Sequence, residues 1–61
     1  MDKLLTVEEV AKLLNKPTSW VRRAAKDARL PAYKIGLHYR FDPTTLEVWV
    51  LEQQVKPPKP K

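Results

Sequence analysis

Cysteine is absent from this chain of 61 residues, and histidine and glycine each occur once. Without cysteine the chain can form neither a disulfide nor a thiolate zinc site. A single histidine with scattered acids does not make a metal-ligand pattern. The sequence also has no nucleophile–base pattern and no glycine-rich phosphate loop, so we expect neither catalysis nor a cofactor.

Long apolar runs are also missing. None approaches the roughly 18 residues that a membrane-spanning helix requires. The opening segment MDKLLTVEEV lacks the apolar run of a secretion signal, and it carries acids that transit peptides avoid. We therefore expect a soluble protein of the cell interior that does not bind membranes. A chain of this length forms at most one domain with a small core.

Positive charge is concentrated in the middle of the chain, whose formal net charge is +5. Residues 16–40 carry seven cations and one acid, a net charge of +6. Residues 1–15 carry two cations and three acids, residues 41–54 carry three acids, and residues 55–61 add three lysines. A concentrated basic block is typical of a protein that binds phosphates.

The first helix is predicted over residues 7–14. Thr6 can accept a hydrogen bond from the N–H of Glu9, whose side chain can reach back to Thr6, as in a capping box. Asn15 tolerates a left-handed end and Pro17 cannot continue the helix, so both predict its end. The apolar residues at helical spacing are Val7, Val10, Ala11 and Leu14.

A second helix is predicted over residues 18–28, with Thr18 as its cap and Leu30-Pro31 after its end. Its apolar face is rich in alanine, which lets the first helix approach closely across a short turn. That face comprises Val21, Ala24, Ala25 and Ala28, and the opposite face carries Ser19, Arg22, Arg23 and Lys26.

The charged face of this second helix suits duplex DNA. The major groove is wide enough for one helix, and arginine can donate two parallel hydrogen bonds to guanine there. Lysine and serine suit phosphates. The same face could also be an ordinary solvated surface, so the neighbouring hairpin matters to the interpretation.

Residues 32–41, AYKIGLHYRF, predict a β-hairpin with Gly36 in the turn. Tyr33 and Ile35 are expected to point to one side of it. A basic hairpin beside a recognition helix is typical of a wing, which contacts the DNA backbone or the minor groove. The expected basic residues of the wing are Lys34 and Arg40 on its outward side and His38 at its tip.

Asp42-Pro43 predicts the start of a third helix over residues 43–54. One of its faces carries Leu46, Trp49, Val50 and Gln53. A second apolar stripe comprises Val48, Leu51 and Val55. Either Met1 and Leu4 fold over this stripe, or it contacts another protein.

We expect one domain over residues 1–54. The remaining segment, residues 55–61, is VKPPKPK, and its prolines and lysines predict a disordered tail.

The motifs TVEEVAKLL, WVRRAAKDARLPAYKIG and YRFDPTTLEVW follow one another within residues 4–52. In this order the sequence resembles the excisionase-type, MerR-like winged helix-turn-helix family. The resemblance implies a mainly α fold with a small β-hairpin, with Arg22 and Arg23 in the major groove and Arg40 on the wing.

Excisionases of this family are recombination directionality factors. They bind and bend DNA beside an attachment site and help a tyrosine integrase to excise a mobile element or prophage. The resemblance therefore implies double-stranded DNA as a partner, with a tyrosine integrase and further copies of the chain as others. It implies a cytoplasmic, DNA-associated protein encoded by a bacterium or phage. The family also contains small transcriptional regulators, and a protein-interaction adaptor with a basic face is a further alternative.

Some candidate residues have two readings. Trp20 lies between the two faces of its helix and either packs inside or faces DNA. Tyr33 and Tyr39 are expected to pack within the wing, with hydroxyls that could reach phosphates. Arg29 either binds a phosphate or caps the helix end. The expected DNA-binding residues are Thr18, Ser19, Trp20, Arg22, Arg23, Lys26, Lys34, His38, Tyr39 and Arg40, and the expected protein-binding residues are Val48, Leu51 and Val55.

Overall fold

The computed structural model of the chain describes residues 3–55, which form three helices and one antiparallel hairpin. The predicted architecture, mainly α with a two-stranded wing between the second and third helices, is confirmed. No helix of residues 3–55 is long and apolar enough to cross a membrane. The elements are α1 (Val7–Leu14), α2 (Thr18–Lys26), β1 (Tyr33–Ile35), β2 (His38–Arg40) and α3 (Pro43–Glu52).

Helix α1 has the predicted bounds and the predicted capping box. The Oγ1 of Thr6 accepts the N–H of Glu9 at 3.1 Å, and the carboxylate of Glu9 accepts the N–H of Thr6 at 3.0 Å. The second bond favours the ionised carboxylate and so lowers the pKa of Glu9 below its ordinary value. At the other end Asn15 is left-handed, with φ of 56°, as its side chain allows.

Helix α2 differs from its prediction at both ends. Thr18 is its first helical residue and not its cap, because Pro17 occupies the cap position in an extended conformation. The helix ends at Lys26 and not at residue 28. Ala28 is left-handed, with φ of 58°, and exposed, so the prediction that it belongs to the buried face was wrong.

The early end of α2 follows from the burial of Leu30. The left-handed Ala28 reverses the chain, and the N–H groups of Arg29 and Leu30 then donate to the carbonyl of Ala24 at 2.9 and 3.3 Å. These bonds satisfy a free carbonyl at the helix end. The reversal places Leu30 in the core with 1% of its surface exposed. Continuing the helix to residue 28 would forfeit that burial.

The hairpin has a two-residue turn, Gly36-Leu37, in which Gly36 has φ of 63°. His38 is therefore the first residue of β2 and does not lie at the tip. Cross-strand partners share a face of a hairpin. The partners are Tyr33 with Arg40, Lys34 with Tyr39, and Ile35 with His38.

This register corrects the expectation that Lys34 and Arg40 share the outward side of the wing. Lys34 lies on one face with Tyr39, and its Nζ is 5.9 Å from the centre of the Tyr39 ring. Arg40 lies on the other face with Tyr33, which is exposed and not packed within the wing. Tyr39 packs against the core, as expected.

The base of the hairpin is joined to the segment before α1. Leu5 and Phe41 form an antiparallel bridge in which the Leu5 N–H donates at 2.7 Å and the Phe41 N–H donates back at 3.0 Å. Phe41 is fully buried. The bridge therefore fixes the wing relative to both α1 and the core.

Helix α3 begins as predicted, with Asp42 at the cap position and Pro43 as its first residue. It ends at Glu52 and not at residue 54, because the N–H of Gln53 bonds the carbonyl three residues back and tightens the last turn. Gln53 consequently caps the helix. The buried core comprises Val7, Val10, Ala11, Val21, Ala24, Leu30, Phe41 and Leu46.

Two expectations fall partly outside the described residues. The disordered tail predicted for residues 55–61 lies outside them apart from Val55, and so does Met1, which was a candidate cover for the apolar stripe of α3.

Candidate nucleic-acid interface

The charged face of α2 and the hairpin together line an open cleft of about 470 Å³. Helical spacing places the polar side chains of α2 along one face, and Tyr39 of β2 also lines the cleft. The cleft holds three cations and one acid. We call it the basic cleft, and its lining residues are Ser19, Arg22, Arg23, Lys26, Asp27 and Tyr39.

A smaller depression of about 110 Å³ adjoins the basic cleft and shares Arg22 and Tyr39 with it. It lies between the start of α1 and the turn of the hairpin. We call it the wing-side depression, and its lining residues are Val7, Glu8, Arg22, Leu37, His38, Tyr39 and Arg40. The two depressions thus bring together seven of the ten predicted DNA-binding residues, namely Ser19, Arg22, Arg23, Lys26, His38, Tyr39 and Arg40.

The other three predicted residues lie outside these depressions. Lys34 is exposed beside Tyr39, on the hairpin face that Tyr39 shares. Thr18 is half-buried at the start of α2. Trp20 packs against the core and borders a separate hollow with Trp49, while the Nζ of Lys16 lies 5.3 Å from its ring centre. This position fits the packing alternative for Trp20.

Two acids hold the arginines of this surface in exposed ion pairs. The carboxylate of Glu8 lies 3.4 Å from Arg22, and the carboxylate of Asp27 lies 4.0 Å from Arg23. Asp27 also lies 3.8 Å from Arg29, whose guanidinium is therefore tied to the end of α2. Exposed pairs of this kind contribute about 0.2–1 kcal/mol. A polyanion can therefore replace the acids at small cost.

Within residues 3–55, Arg40 forms a hydrogen bond to the backbone and not an ion pair with an acid. Its guanidinium donates to the carbonyl of Tyr39 at 2.9 Å, and the residue is half-buried. This bond fixes the guanidinium beside the wing-side depression while its other donors stay available, since arginine carries five N–H groups.

Sequence reasoning missed Glu8 and Asp27 as part of this surface. The pair of Arg23 and Asp27 has the spacing of facing residues on a helix, so its signal was present in the sequence. The contact of Glu8 with Arg22 joins two helices, and its distance depends on how α1 and α2 cross. Only the folded chain shows it.

The predicted apolar stripe of α3 is exposed. The exposed fractions are 53% for Val48, 62% for Leu51 and 91% for Val55. Nearby, the indole N–H of Trp49 donates to the carbonyl of Arg29 at 3.0 Å, which ties α3 to the segment that follows α2. Val48 and Leu51 are thus open to solvent on α3, whereas Val55 lies beyond the end of the helix at Glu52 and does not continue the stripe as a helical face.

The arrangement offers a polyanion one convex helix and one narrow hairpin. An α-helix with donors along one face fits the major groove, which is about 12 Å wide. The hairpin stands beside that helix, so both can contact one duplex. The nearby cations suit phosphates, which supply much of the affinity of proteins for DNA.

A protein-family model described as a helix-turn-helix domain matches residues 4–54 of the chain. The match spans α1, α2, the hairpin and α3. No curated protein and no solved structure matches the chain significantly.

Proposed function

We infer the function from one premise: the chain belongs to the helix-turn-helix domain family, a DNA-binding family that includes excisionase-like proteins. Sequence-specific binding of DNA follows from that membership. We propose that the protein acts as an excisionase, a non-catalytic recombination directionality factor that assists a tyrosine integrase. The proposal implies a cytoplasmic, DNA-associated protein encoded by a bacterium or phage.

Helix α2 is the proposed reading element. The observation that carries this assignment is the basic cleft, where Arg22, Arg23 and Lys26 lie along one exposed face of the helix. We assign Arg22 and Arg23 to guanine, because arginine can donate two parallel bonds to its O6 and N7. Ser19, on the same face near the start of the helix, has a short hydroxyl that suits a phosphate or a base edge.

The wing is the proposed anchoring element. Lys34 and Arg40 lie on its two faces, so the hairpin presents a cation to each side. A hairpin that lies in a DNA groove has a phosphate strand on each side. Cations on both faces of the hairpin can each reach one of these strands, which two cations on the same face could not do. His38 and Tyr39 add donors near the wing-side depression. These contacts position the protein without reading bases.

Salt dependence tests the DNA-binding surface. A duplex should first be selected from a random pool, and its affinity then measured by fluorescence anisotropy at increasing salt. Neutralising about five phosphates gives a slope of about −4.5 in log K against log salt, or roughly 500-fold between about 50 and about 200 mM. Absence of duplex binding at low salt would falsify the proposal.

Two substitutions separate reading from anchoring. Arg23→Ala should cost about 1–3 kcal/mol at the selected site and much less on random DNA, because it removes base contacts. Lys34→Ala should weaken both DNAs by about the same factor, because it removes a phosphate contact. Lys12→Ala, at an exposed position of α1 outside both depressions, is the matched control. If Arg23→Ala and Lys34→Ala behave alike, the division of roles is wrong.

The exposed stripe of α3 supports a protein partner, either a neighbouring copy on DNA or an integrase. Apolar surface that is exposed and contiguous often marks such contacts. The double variant Val48→Asp with Leu51→Asp should bind a single site normally but lose cooperative binding to adjacent sites or to integrase-bound DNA. Both positions are exposed, so circular dichroism should show an intact fold. Unfolding would instead indicate that the stripe is covered within the chain.

A transcriptional regulator with the same surface is the second candidate, since the family does not distinguish the two roles. An excision assay in vitro separates them. The protein, an integrase encoded beside it and a supercoiled substrate with the attachment sites should yield excised product. Binding to the selected site without excision, at a promoter, would favour the regulator. A purely protein-binding adaptor would show neither.

A further inference from the structure

The turn of the wing carries a large apolar side chain in an unusual place. Leu37 has 91% of its surface exposed, and it follows Gly36 in the two-residue turn of the hairpin. Single exposed leucines are common on protein surfaces. This one differs because it projects from a narrow tip among cations, at the part of the molecule proposed to meet DNA.

The tip is slender. Gly36 has no side chain, and apart from Gly36 itself and its two chain neighbours no atom of residues 3–55 lies within 4 Å of the place where its Cβ would be. The two-residue turn therefore presents a single side chain, that of Leu37. The minor groove of DNA is about 6 Å wide, which suits such a tip better than it suits a helix.

The surroundings of Leu37 favour a nucleic acid over an apolar protein surface. Leu37 lines the wing-side depression with the cations Arg22 and Arg40 and with Glu8, the acid paired with Arg22. Lys34 lies on the other face of the same hairpin. An apolar tip with cations on both sides is complementary to a groove that has stacked bases at its floor and phosphates at its rims.

We propose that Leu37 is a wedge that inserts between base pairs from the minor groove and kinks the duplex. The inference rests on the proposed DNA-binding function and deepens it, because it assigns DNA bending to one residue. Apolar side chains inserted at a base step unstack it and bend the duplex toward the major groove. The burial of leucine and the tighter fit of the flanking cations offset the cost of unstacking.

The wedge also predicts a sequence preference that needs no hydrogen bonds to bases. Pyrimidine–purine steps such as TA and CA/TG unstack most easily. The base step under the wing should therefore be enriched in these steps among the selected sites, although Leu37 has no donor or acceptor with which to read them.

The experiment uses the full chain and a selected duplex in which 2-aminopurine replaces single adenines at successive positions. Local unstacking raises the fluorescence of 2-aminopurine, and dyes at the two ends of the duplex report bending by energy transfer. Wild-type protein should raise the fluorescence at one step beside the α2 site and shorten the distance between the ends. Leu37→Ser should abolish both signals and weaken binding by roughly tenfold or less, since the burial lost is offset by the unstacking avoided.

Two further variants complete the test. Leu37→Met, which keeps an apolar side chain of similar length, should restore both signals. Leu13→Ser, at an exposed leucine of α1 outside the wing, should leave them unchanged. Circular dichroism of each variant controls for folding.

Other results would overturn the wedge. These are wild-type binding without fluorescence change or bending, retention of both signals in Leu37→Ser, or a Leu37→Ser defect confined to cooperative assembly, which would place Leu37 in a protein contact. Failure of wild-type protein to bind any duplex would instead remove the DNA-binding proposal itself, so the two failures are distinguishable.

Discussion

Helices α2 and α3 are of similar length, nine and ten residues, and pack against the same core. Their exposed surfaces are opposite in chemistry. Helix α2 buries Val21 and Ala24 and exposes cations, whereas α3 buries Leu46 and exposes Val48 and Leu51. Neither exposed surface is needed to fill the core.

The difference teaches what each surface is for. At an exposed position the fold accepts most polar residues with small changes in stability. Clustered cations on α2 and clustered apolar residues on α3 are therefore better explained by what binds there. The comparison supports the proposed polyanion at α2 and the proposed protein partner at α3, on a core that both helices share.

The largest expected effect is on stability, and it tests whether α2 and α3 share one core. Phe41→Ala should destabilise the protein by about 3–5 kcal/mol, because it leaves a cavity in the core to which both helices contribute buried residues. A domain of this size has a stability of similar magnitude, so the variant should be largely unfolded. Circular dichroism in urea measures this, with Leu13→Ala as the exposed control. Loss of α2 with retention of α3 would show that the helices do not share one core.

A smaller effect compares the ends of the two helices. Ala28 follows α2 in a left-handed conformation, which costs about 1–2 kcal/mol for a residue with a Cβ. Ala28→Gly should therefore stabilise the protein by about 1 kcal/mol, after the entropy of glycine is allowed for. Gln53, at the end of α3, is right-handed with φ of −85°, so Gln53→Gly should destabilise. Thermal unfolding of both variants checks the contrast, and shifts of the same sign would contradict it.

A third effect concerns electrostatics at the two helices. Glu8→Gln releases Arg22 of α2, while Glu47→Gln makes the same charge change on α3. Since an exposed ion pair contributes about 0.2–1 kcal/mol, Glu8→Gln should bind random-sequence DNA up to about fivefold more tightly than Glu47→Gln does. Anisotropy titrations at one salt concentration measure the ratio. Equal affinities would mean that Glu8 does not compete with phosphate for Arg22.

The smallest effect concerns the start of α1. Of the three helices of residues 3–55, α1 alone has a side-chain cap bonded to the backbone, whereas α2 and α3 have none. The pKa of Glu9 is lowered by the bond from the Thr6 N–H. Its contribution to stability is therefore complete above the ordinary pKa of glutamate and is lost as pH falls through the lowered value. Glu9→Gln keeps an acceptor but cannot titrate. Urea unfolding at several pH values should show the advantage of wild type shrinking on acidification, and a constant difference would contradict the linkage.

Much of the fold could be predicted because its signals are local. The capping box at Thr6, the Asp42-Pro43 start and the glycine turn each depend on neighbouring residues alone. The end of α2 could not be predicted. Ala28 adopts a left-handed conformation because that reversal buries Leu30, and an alanine in the sequence does not indicate a left-handed residue.

The site shows the same division. The grouping of Arg22, Arg23 and Lys26 follows from helical spacing and was predicted. The faces of the wing were not, because a two-residue turn pairs each even-numbered residue with an odd-numbered one. Lys34 therefore lies on the same face as Tyr39. Alternation along the chain had placed Lys34 on the face of Arg40, which was wrong.

The bridge between Leu5 and Phe41 holds the wing at its root, whereas Leu37 in its turn is 91% exposed. The root is also where the chain enters α3, and it lies two residues before the start of α1. A force on the turn of the hairpin is therefore transmitted to the starts of α1 and α3 and is not absorbed by the hairpin alone. The wing, which is proposed to contact DNA, is thus anchored at the same junction from which α1 and α3 begin.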